Sequence, residues 1–529
     1  MRAIGEPLAR FAERLERLAS RSAAPRGALA LLALVLAIHA AALLAIARAK
    51  PFWYDELLSL HLSSLGDPAR IWAALLAGAD GMTLGLHLLL AAARRLPLEL
   101  HLALRLPSLL AHLAAVAAVY AFVAARLPRQ AGLVAALLLC LSGLPRFAVE
   151  ARCYSLLVGS LALAALAWQR VGERPRAALA LALCLALASA SHPLAAAALA
   201  WFGLAELVAL AQTRELRGRV WLAIAFGGVP WLLGIPQLLR LRELYGEHFW
   251  SSAAWGRVLS SYEQLAGLSW PLAVAGIGAI ALAALRAAGG PRAAGGPRAA
   301  EAEPERGFSL PELALVAGLL AHPLLLVALA KLAGAGYTER YAAPALIGLA
   351  IGAAFALHAL GRRRALNCVL PALLIGFLLR SELDFRANAA GRPLAAMQAR
   401  FGALERAARE HPGLPLVISS GLRLVELFHY APEGLGARLV GLPDAAEAVR
   451  RSGSNSVDGA NLALAGFVAL PLQELRPFLA RNPRFVVHSS RDDFSWLRAY
   501  LLERRYELVL LSEDADASLY LAARPAQRP

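Results

Sequence analysis

The chain is short of charge. Only 17% of its 529 residues are Asp, Glu, Lys or Arg, where a soluble protein carries about a quarter. That excludes an ordinary soluble enzyme of this length. What takes the place of charge is apolar surface, 59% of the residues, gathered in runs. Crossing a bilayer takes about 20 apolar residues, and several runs approach or reach that length. Lysine is nearly missing. Lys50 and Lys331 are the two present, so the formal net charge of +16 rests on arginine. Arginine in place of lysine, with so much alanine and leucine, points to a GC-rich bacterial genome. A nucleic-acid binder would gather its cations on one face. Here they fall in short gaps between apolar runs, which is a topological signal, and nucleic acid is not an expected partner. Cysteine is scarce as well. Cys140, Cys153, Cys184 and Cys368 lie in or beside apolar helices without metal-ligand spacing, so they read as packing residues and not as a disulfide framework.

These absences leave a polytopic α-helical membrane protein with a soluble C-terminal α/β domain. Transmembrane helices are expected at about 28–48, 101–125, 131–147, 154–170, 177–190, 193–211, 219–239, 263–286, 311–332, 341–360 and 366–380, about 11 in all. Residues 1–27 form an arginine-rich amphipathic lead without a cleavable signal pattern, and the first apolar run serves as an uncleaved anchor. Arg126 and Arg129, then Arg170, Arg174 and Arg176, then Arg214, Arg217 and Arg219, and finally Arg362 to Arg364 occupy alternate loops. The positive-inside rule makes these loops and the N-terminus cytoplasmic. A bacterial inner-membrane protein is expected, with residues 381–529 in the periplasm. The apolar segment 82–93 is too short to cross and stays in one long outer loop, 50–100, as one of two or three helices lying on the membrane surface. Residues 287–308 hold the repeat Ala-Ala-Gly-Gly-Pro-Arg and read as a flexible cytoplasmic linker. His322-Pro323 predicts a kink.

Beyond residue 380 the composition changes. Short strands are expected at 414–420, 437–442, 484–490, 506–512 and 517–523, and helices at 422–430, 471–482 and 494–505. Alternation of this kind argues a small α/β unit. No Gly-x-Gly-x-x-Gly or P-loop pattern opens its helices, so nucleotide binding is unsupported.

One stretch organises the rest. Pro51-Phe52-Trp53-Tyr54-Asp55-Glu56 follows the first apolar run. Acids at the mouth of a membrane helix are costly unless they face water or a cavity. A carboxylate in a partly dry cleft serves as a general base. The plainer reading is an interfacial helix whose first-turn acids complement its dipole. Arg152, in Glu150-Ala151-Arg152-Cys153-Tyr154-Ser155, either snorkels beside Glu150 or grips a phosphate with its planar fork. His192 sits at an outer turn. Tyr245, His248, Trp250 and Trp255 decorate the next outer loop as an aromatic belt. Lys331, Tyr337, Glu339, Arg340 and Tyr341 flank another, as lipid-phosphate ligands or as interface anchors. All of these face one side, and a basic, aromatic-rimmed cleft with one strong base candidate suits chemistry on a lipid-linked phosphate.

Four segments in order, Trp53-Tyr54-Asp55-Glu56, Arg105-Leu106-Pro107-Ser108, Glu150 to Ser155, and Arg340-Tyr341-Ala342-Ala343-Pro344, resemble the GT-C-fold glycosyltransferases over roughly residues 28–380. The resemblance is closest to the protein O-mannosyltransferase-like group, glycosyltransferase family 39. It implies that Asp55, the Asp of the Asp-Glu pair, is the catalytic base, with Glu56 beside it. The donor it implies is a polyprenyl-phosphate-linked sugar, the acceptor a lipid, glycan or protein, and the site faces away from the cytoplasm. On this reading Arg152, Tyr154, Lys331, Arg340 and Tyr341 bind the donor phosphate, and Tyr54, His87, His192 and His248 line the substrate cleft. Neither a metal nor another cofactor is expected. The chain departs from the family at Gly81-Met82-Thr83-Leu84-Gly85-Leu86-His87, where many relatives carry His-Pro-Pro-Leu-Tyr-Tyr. Two other classes stay open: a lipid or solute transporter, and a catalytically silent binder of lipid-linked sugar.

Overall fold

The computed structural model describes residues 25–266, 307–388, 392–399 and 401–524. Most of the span expected at 263–286, of the linker 287–308 and of the lead 1–27 lies outside the described residues. The first helix, α1, runs over Pro25–Ala49. Three helices fill the long loop after it: α2 (Tyr54–Ser64), α3 (Pro68–Leu76) and α4 (Leu84–Ala93). Asp67 and Thr83 cap α3 and α4 by accepting the backbone N–H groups of Ala69 and Leu86, a role their short oxygen-bearing side chains suit.

The body continues as α5 (Leu100–Ala124), α6 (Arg129–Leu141), the single turn α7 (Leu144–Ala148), α8 (Tyr154–Arg170), α9 (Ala177–Ser191), α10 (Ala195–Thr213), α11 (Gly218–Leu233), α12 (Ile235–Tyr245) and α13 (Gly256–Ala266). It closes with α14 (Leu310–Leu320), α15 (His322–Ala333) and the helical segment α16 (Ala345–Asn388). Among the described residues, four helices are long and apolar enough to cross a membrane: Arg26–Ala49, Leu100–Ala124, Ala195–Thr213 and Leu366–Asn388. Counting each bent pair as one span raises this to six; α11 meets α12 at 44° and α14 meets α15 at 56°. The second bend falls where His322-Pro323 predicts one, and Pro323 takes a first-turn position, where its missing N–H costs nothing.

The expected crossing 131–147 is interrupted. Helix α6 stops at Leu141, and Gly143 donates its N–H to the Leu265 carbonyl at 2.6 Å. A Cβ on Gly143 would stand 2.6 Å from that oxygen, so the chain breaks where only glycine fits. At one end of the body the carboxylates are paired. Arg126 and Gln169 hold Glu312 at 2.9 and 2.8 Å, and Arg217 and Trp168 hold Glu206 at 3.0 and 2.6 Å. The Asp55 stretch lies at the opposite end of the same helices.

The C-terminal part begins with α17 (Arg392–Ala399) and α18 (Phe401–Glu410) and carries a five-stranded sheet ordered β2-β1-β3-β5-β4. Its strands are β1 (Leu416–Ile418), β2 (Leu439–Gly441), β3 (Arg484–Ser490), β4 (Glu507–Glu513) and β5 (Ala517–Ala523). The first three are parallel; β5 runs antiparallel to both β3 and β4. Alternation along the strands sends Val417, Phe485 and Val487 into one core and Leu416, Ile418 and Val486 into another, the period-2 signature of a sheet covered on both faces. Between β1 and β3 lie α19 (Gly421–Tyr430), α20 (Glu433–Gly436), α21 (Ala445–Ser452), α22 (Ser456–Ala465) and α23 (Leu475–Arg481), and α24 (Leu497–Glu503) follows β3. Helix α19 packs directly on α2.

Candidate active site

The site is built where α2 begins. Helix geometry turns successive side chains about 100° apart, and Asp55 and Glu56 go to different surroundings. Glu56 points into the body. Arg105, fully buried on α5, grips both its oxygens at 2.8 Å, and the Ala151 N–H donates to Oε1 at 2.8 Å. Arg105 also donates to the carbonyls of Ala47, Lys50 and Pro51. Its guanidinium lies 4.8 Å from the centre of the Phe52 ring. This buried pair welds the end of α1, the start of α2 and α5 together, and Glu56 has no open face for a reactant.

Asp55 points to the opening, with a side chain 14% exposed. Arg340 holds its Oδ2 at 2.9 Å, and Arg152 stands 4.0 Å from the same oxygen. The Arg340 guanidinium lies 5.6 Å from the ring centres of Trp53 and Tyr154 and 5.8 Å from that of Trp250, a setting that favours a cation. Arg340 comes from the 3-10 turn Glu339–Ala342. That turn is fixed by Arg257 and Ser260, each 3.0 Å from the Glu339 carboxylate.

Beneath Asp55 lies a second acid that the sequence reading passed over. Asp80 binds Arg152 through both oxygens, at 2.7 and 3.2 Å, and His87 approaches it to 3.4 Å. Burial pushes the Asp80 carboxyl up, but the charge of Arg152 and the bonds from Arg152 and His87 outweigh it and hold the group well below the usual carboxylate range. Arg152 also donates to the Asp55 carbonyl and the Ser59 hydroxyl at 3.0 Å. Neither sequence reading of Arg152 describes it as found: its fork is taken by Asp80, and Glu150 pairs with Lys50 at 2.9 Å instead.

Around this ion-paired core, buried polar atoms stand without hydrogen-bond partners: Arg152 Nε, Arg340 Nε, the Tyr154 and Ser155 hydroxyls and His192 Nε2. Native interiors leave few such groups, and each calls for an explanation. They are neighbours. His192 lies 5.8 Å from Tyr154 and 5.4 Å from Tyr341, ring centre to ring centre. Burial, with Arg152, His322 and Arg340 nearby, lowers the His192 imidazole to about 3. His192 is therefore neutral at ordinary pH. Its Nδ1 accepts the Leu194 N–H at 3.0 Å, which puts the ring proton on the unpartnered Nε2. Every one of these orphans can donate a hydrogen bond to an oxygen-rich anionic group.

Of the residues singled out in the sequence, Asp55, Arg152, Tyr154, His192, Arg340 and Tyr341 meet here. Trp53 and Trp250 join them around Arg340, while Tyr54, Glu56, His87, His248 and Lys331 go elsewhere. Tyr54, expected in the cleft, is buried against the C-terminal part, its hydroxyl 3.1 Å from Asn461 Oδ1. His87 lies under Asp80, fully buried. Half-buried His248 ends the 3-10 turn Gly246–His248. Lys331 borders a separate cavity of about 340 Å³ with Phe249, Ser251 and Gly336, whose lining includes neither Asp55 nor Arg340. The physical reason is one of reach. Lys331 points toward the Ala253 carbonyl and lies 6.0 Å from the centre of the Trp255 ring, and Tyr54 starts a helix whose next face is already taken by α19. Sequence reasoning placed Trp250 in an aromatic belt and gave Arg105 no role. Asp80 had one weak signal, an acid alone in the turn Gly78-Ala79-Asp80-Gly81.

No family model and no curated protein matches the chain. Among solved structures it is similar to ArnT from Cupriavidus metallidurans, both in the apo state and bound to undecaprenyl phosphate. The apo structure gives a TM-score of 0.54 at 15% identity, covering 93% of this chain and 98% of that one. The bound structure gives 0.52 at 15% identity, with 94% and 98% covered. The likeness is one of fold, and it covers most of both chains. It supports the GT-C architecture.

Proposed function

We propose that this chain is an inverting membrane glycosyltransferase that moves a sugar from a polyprenyl-phosphate donor to an acceptor on the extracytoplasmic side of a bacterial inner membrane. One observation carries the reading: a partly exposed carboxylate, Asp55, faces a guanidinium, Arg340, beside buried polar groups without partners. An anion is what those groups lack. ArnT was crystallised with undecaprenyl phosphate, and the shared fold makes a polyprenyl-phosphate group the natural anion to test.

In the reaction so read, Asp55 takes the proton of an acceptor hydroxyl, whose oxygen attacks the anomeric carbon. The bond from that carbon to the phosphate oxygen breaks, and polyprenyl phosphate leaves from the opposite face. A single displacement inverts the anomeric centre. Arg340, with the Tyr154 hydroxyl and His192 Nε2–H, stabilises the charge gathering on the phosphate. Donor binding has a second effect: a phosphate that draws Arg340 frees Asp55 from its 2.9 Å ion pair. Arg152 belongs under the base, orienting it from the Asp80 side. The family 39, mannosyltransferase-like placement is the narrower form of the proposal, together with an N-terminus in the cytoplasm and residues 381–529 as a periplasmic α/β domain.

The test is to incubate membranes containing the chain with radiolabelled polyprenyl-phosphate sugars, mannose among them, and ask what becomes labelled. Transfer by the parent and not by Asp55→Asn supports the reading. Tight donor binding without any transfer would mark a silent binder, and transport of the label without a new glycosidic bond would overturn the proposal.

A further inference from the structure

We infer that the C-terminal part is a positioning half of the active site: Glu426, Tyr430 and Asn461 hold in place the first turn of the helix that carries Asp55. The inference rests on the proposed role of Asp55. A helix leaves its first backbone N–H groups without internal partners, and a side-chain oxygen at the N-cap normally takes one of them. At the start of α2 the N-cap is Trp53, which has no oxygen to offer. The Trp53 N–H makes a long bond, 3.4 Å, back to Glu56. The N–H groups on either side of it are satisfied from the far end of the chain. Tyr54 N–H donates to Glu426 Oε1 at 3.2 Å, and Phe52 N–H donates to the Tyr430 hydroxyl at 2.6 Å.

These partners are themselves fixed. Arg423 holds the other Glu426 oxygen at 2.7 Å. His101, stacked 4.2 Å from Phe52, meets the Tyr430 hydroxyl at 3.0 Å. Asn461 completes the clamp through the Tyr54 side chain. Its Nδ2 donates to the Gly421 carbonyl at 3.0 Å, which leaves Oδ1 to accept from the Tyr54 hydroxyl at 3.1 Å. Gly421 is required there, because a Cβ would stand 2.7 Å from Asn461 Nδ2. Tyr54 is 5% and Asn461 1% exposed, so water does not replace these bonds when they are lost. A carboxylate at a helix N-terminus also complements the dipole, which suits Glu426 to its place. None of the three residues bonds the Asp55 carboxylate. They set the peptide from which it projects, and a shift of about 1 Å in a catalytic group costs on the order of a hundredfold in rate.

The experiment uses the full chain, purified in detergent and in membranes, with Tyr54→Phe, Asn461→Ala, Glu426→Ala, Glu426→Gln and Asp55→Asn. The first readout is amide hydrogen exchange over residues 52–58, which needs no substrate. Exchange there is expected to quicken about tenfold or more in Asn461→Ala and Glu426→Ala, with residues 100–124 unchanged. The second is turnover. The kcat falls roughly ten- to a hundredfold while the donor KM stays at the parental value, and Glu426→Gln, which keeps an acceptor oxygen, recovers most of it. Tyr54→Phe removes one hydroxyl and serves if the alanine variants do not fold. Parental exchange and parental kcat in all of these variants, with Asp55→Asn inactive, would overturn the inference and leave the proposed function standing. An Asp55→Asn variant that turns over normally would sink the function while the exchange result still decides whether the clamp exists.

Discussion

Two ion-paired layers, one residue apart in sequence, divide the mouth of the helical body. In the lower layer Glu56 and Arg105 are fully buried and every oxygen is matched. In the upper layer Asp55 is open, its cation is ringed by aromatics, and unpartnered donors crowd around it. A sealed pair offers little net stability over apolar packing but is expensive to break. An open pair beside unsatisfied donors is incomplete as structure, and the proposed function assigns the donor phosphate to those groups. Adjacent acids of the same chemistry thus meet different surroundings, and the proposed function gives the reaction to the open one.

The sharpest way to break this comparison is to neutralise each acid. Asp55→Asn should fold like the parent and lose roughly 10²–10⁴-fold in turnover, the usual range for a lost general base. Glu56→Gln should instead act on stability. If sugar transfer survives Asp55→Asn and fails in a well-folded Glu56→Gln, the two layers have been assigned in reverse.

Removing Arg105 tests the lower layer directly. Arg105→Ala leaves Glu56 buried and uncompensated, at a cost of about 3–5 kcal/mol, seen as a large drop in thermal midpoint or in folded yield. A variant that melts with the parent would show that the lower layer is not structural.

A third carboxylate sharpens the contrast, because it is buried without a cation. Asp458, on α22, accepts from Trp496 Nε1 at 3.0 Å and from the Asp444 N–H at 3.2 Å. Burial raises it to about 6. A raised acid favours the protonated fold, so its contribution is intact below about pH 4, declines as pH rises and levels off above about 6. The decline amounts to at most about 3 kcal/mol. Denaturant titration of the full chain between pH 4 and 7, following the C-terminal tryptophan Trp496, should show it. The difference between the parent and Asp458→Asn isolates the decline, because His488 and His429, both lowered to about 4, give the opposite trend over the same window.

The smallest effect expected is at Arg340. Arg340→Lys keeps the charge and loses the planar fork. Donor affinity should fall about tenfold, or by about 1.4 kcal/mol, measured as the Kd for undecaprenyl phosphate. Unchanged affinity would remove Arg340 from the phosphate site.

Much of the body was legible in the sequence, because apolar runs and arginine gaps are local signals. The starts of α5, α8 and α10 fall within one or two residues of expectation, and β3 and β5 coincide with their expected ranges. What failed was what depends on distant partners. Nothing near Arg152 announces Asp80, which lies 72 residues away. Asp55 was expected as the base with Glu56 beside it, but the sequence does not reveal that Arg105 seals Glu56 in. Helix α22 was missed altogether. It is ten residues long and follows Gly453-Ser454-Asn455, which reads as loop. That omission hid Asn461, and with it the fate of Tyr54.

The bond from Tyr54 to Glu426 joins positions 372 residues apart. At a synthesis rate of roughly 5–20 residues per second, the ribosome needs about 20–75 s to travel from one to the other. Through that interval the first helices are already made while the catalytic turn lacks its clamp. Assembly of the reactive centre is therefore a late event in the life of each nascent chain. Under the proposed function and the inferred clamp, a polypeptide released before Glu426 is made carries Asp55 and Arg340 and is expected to stay idle.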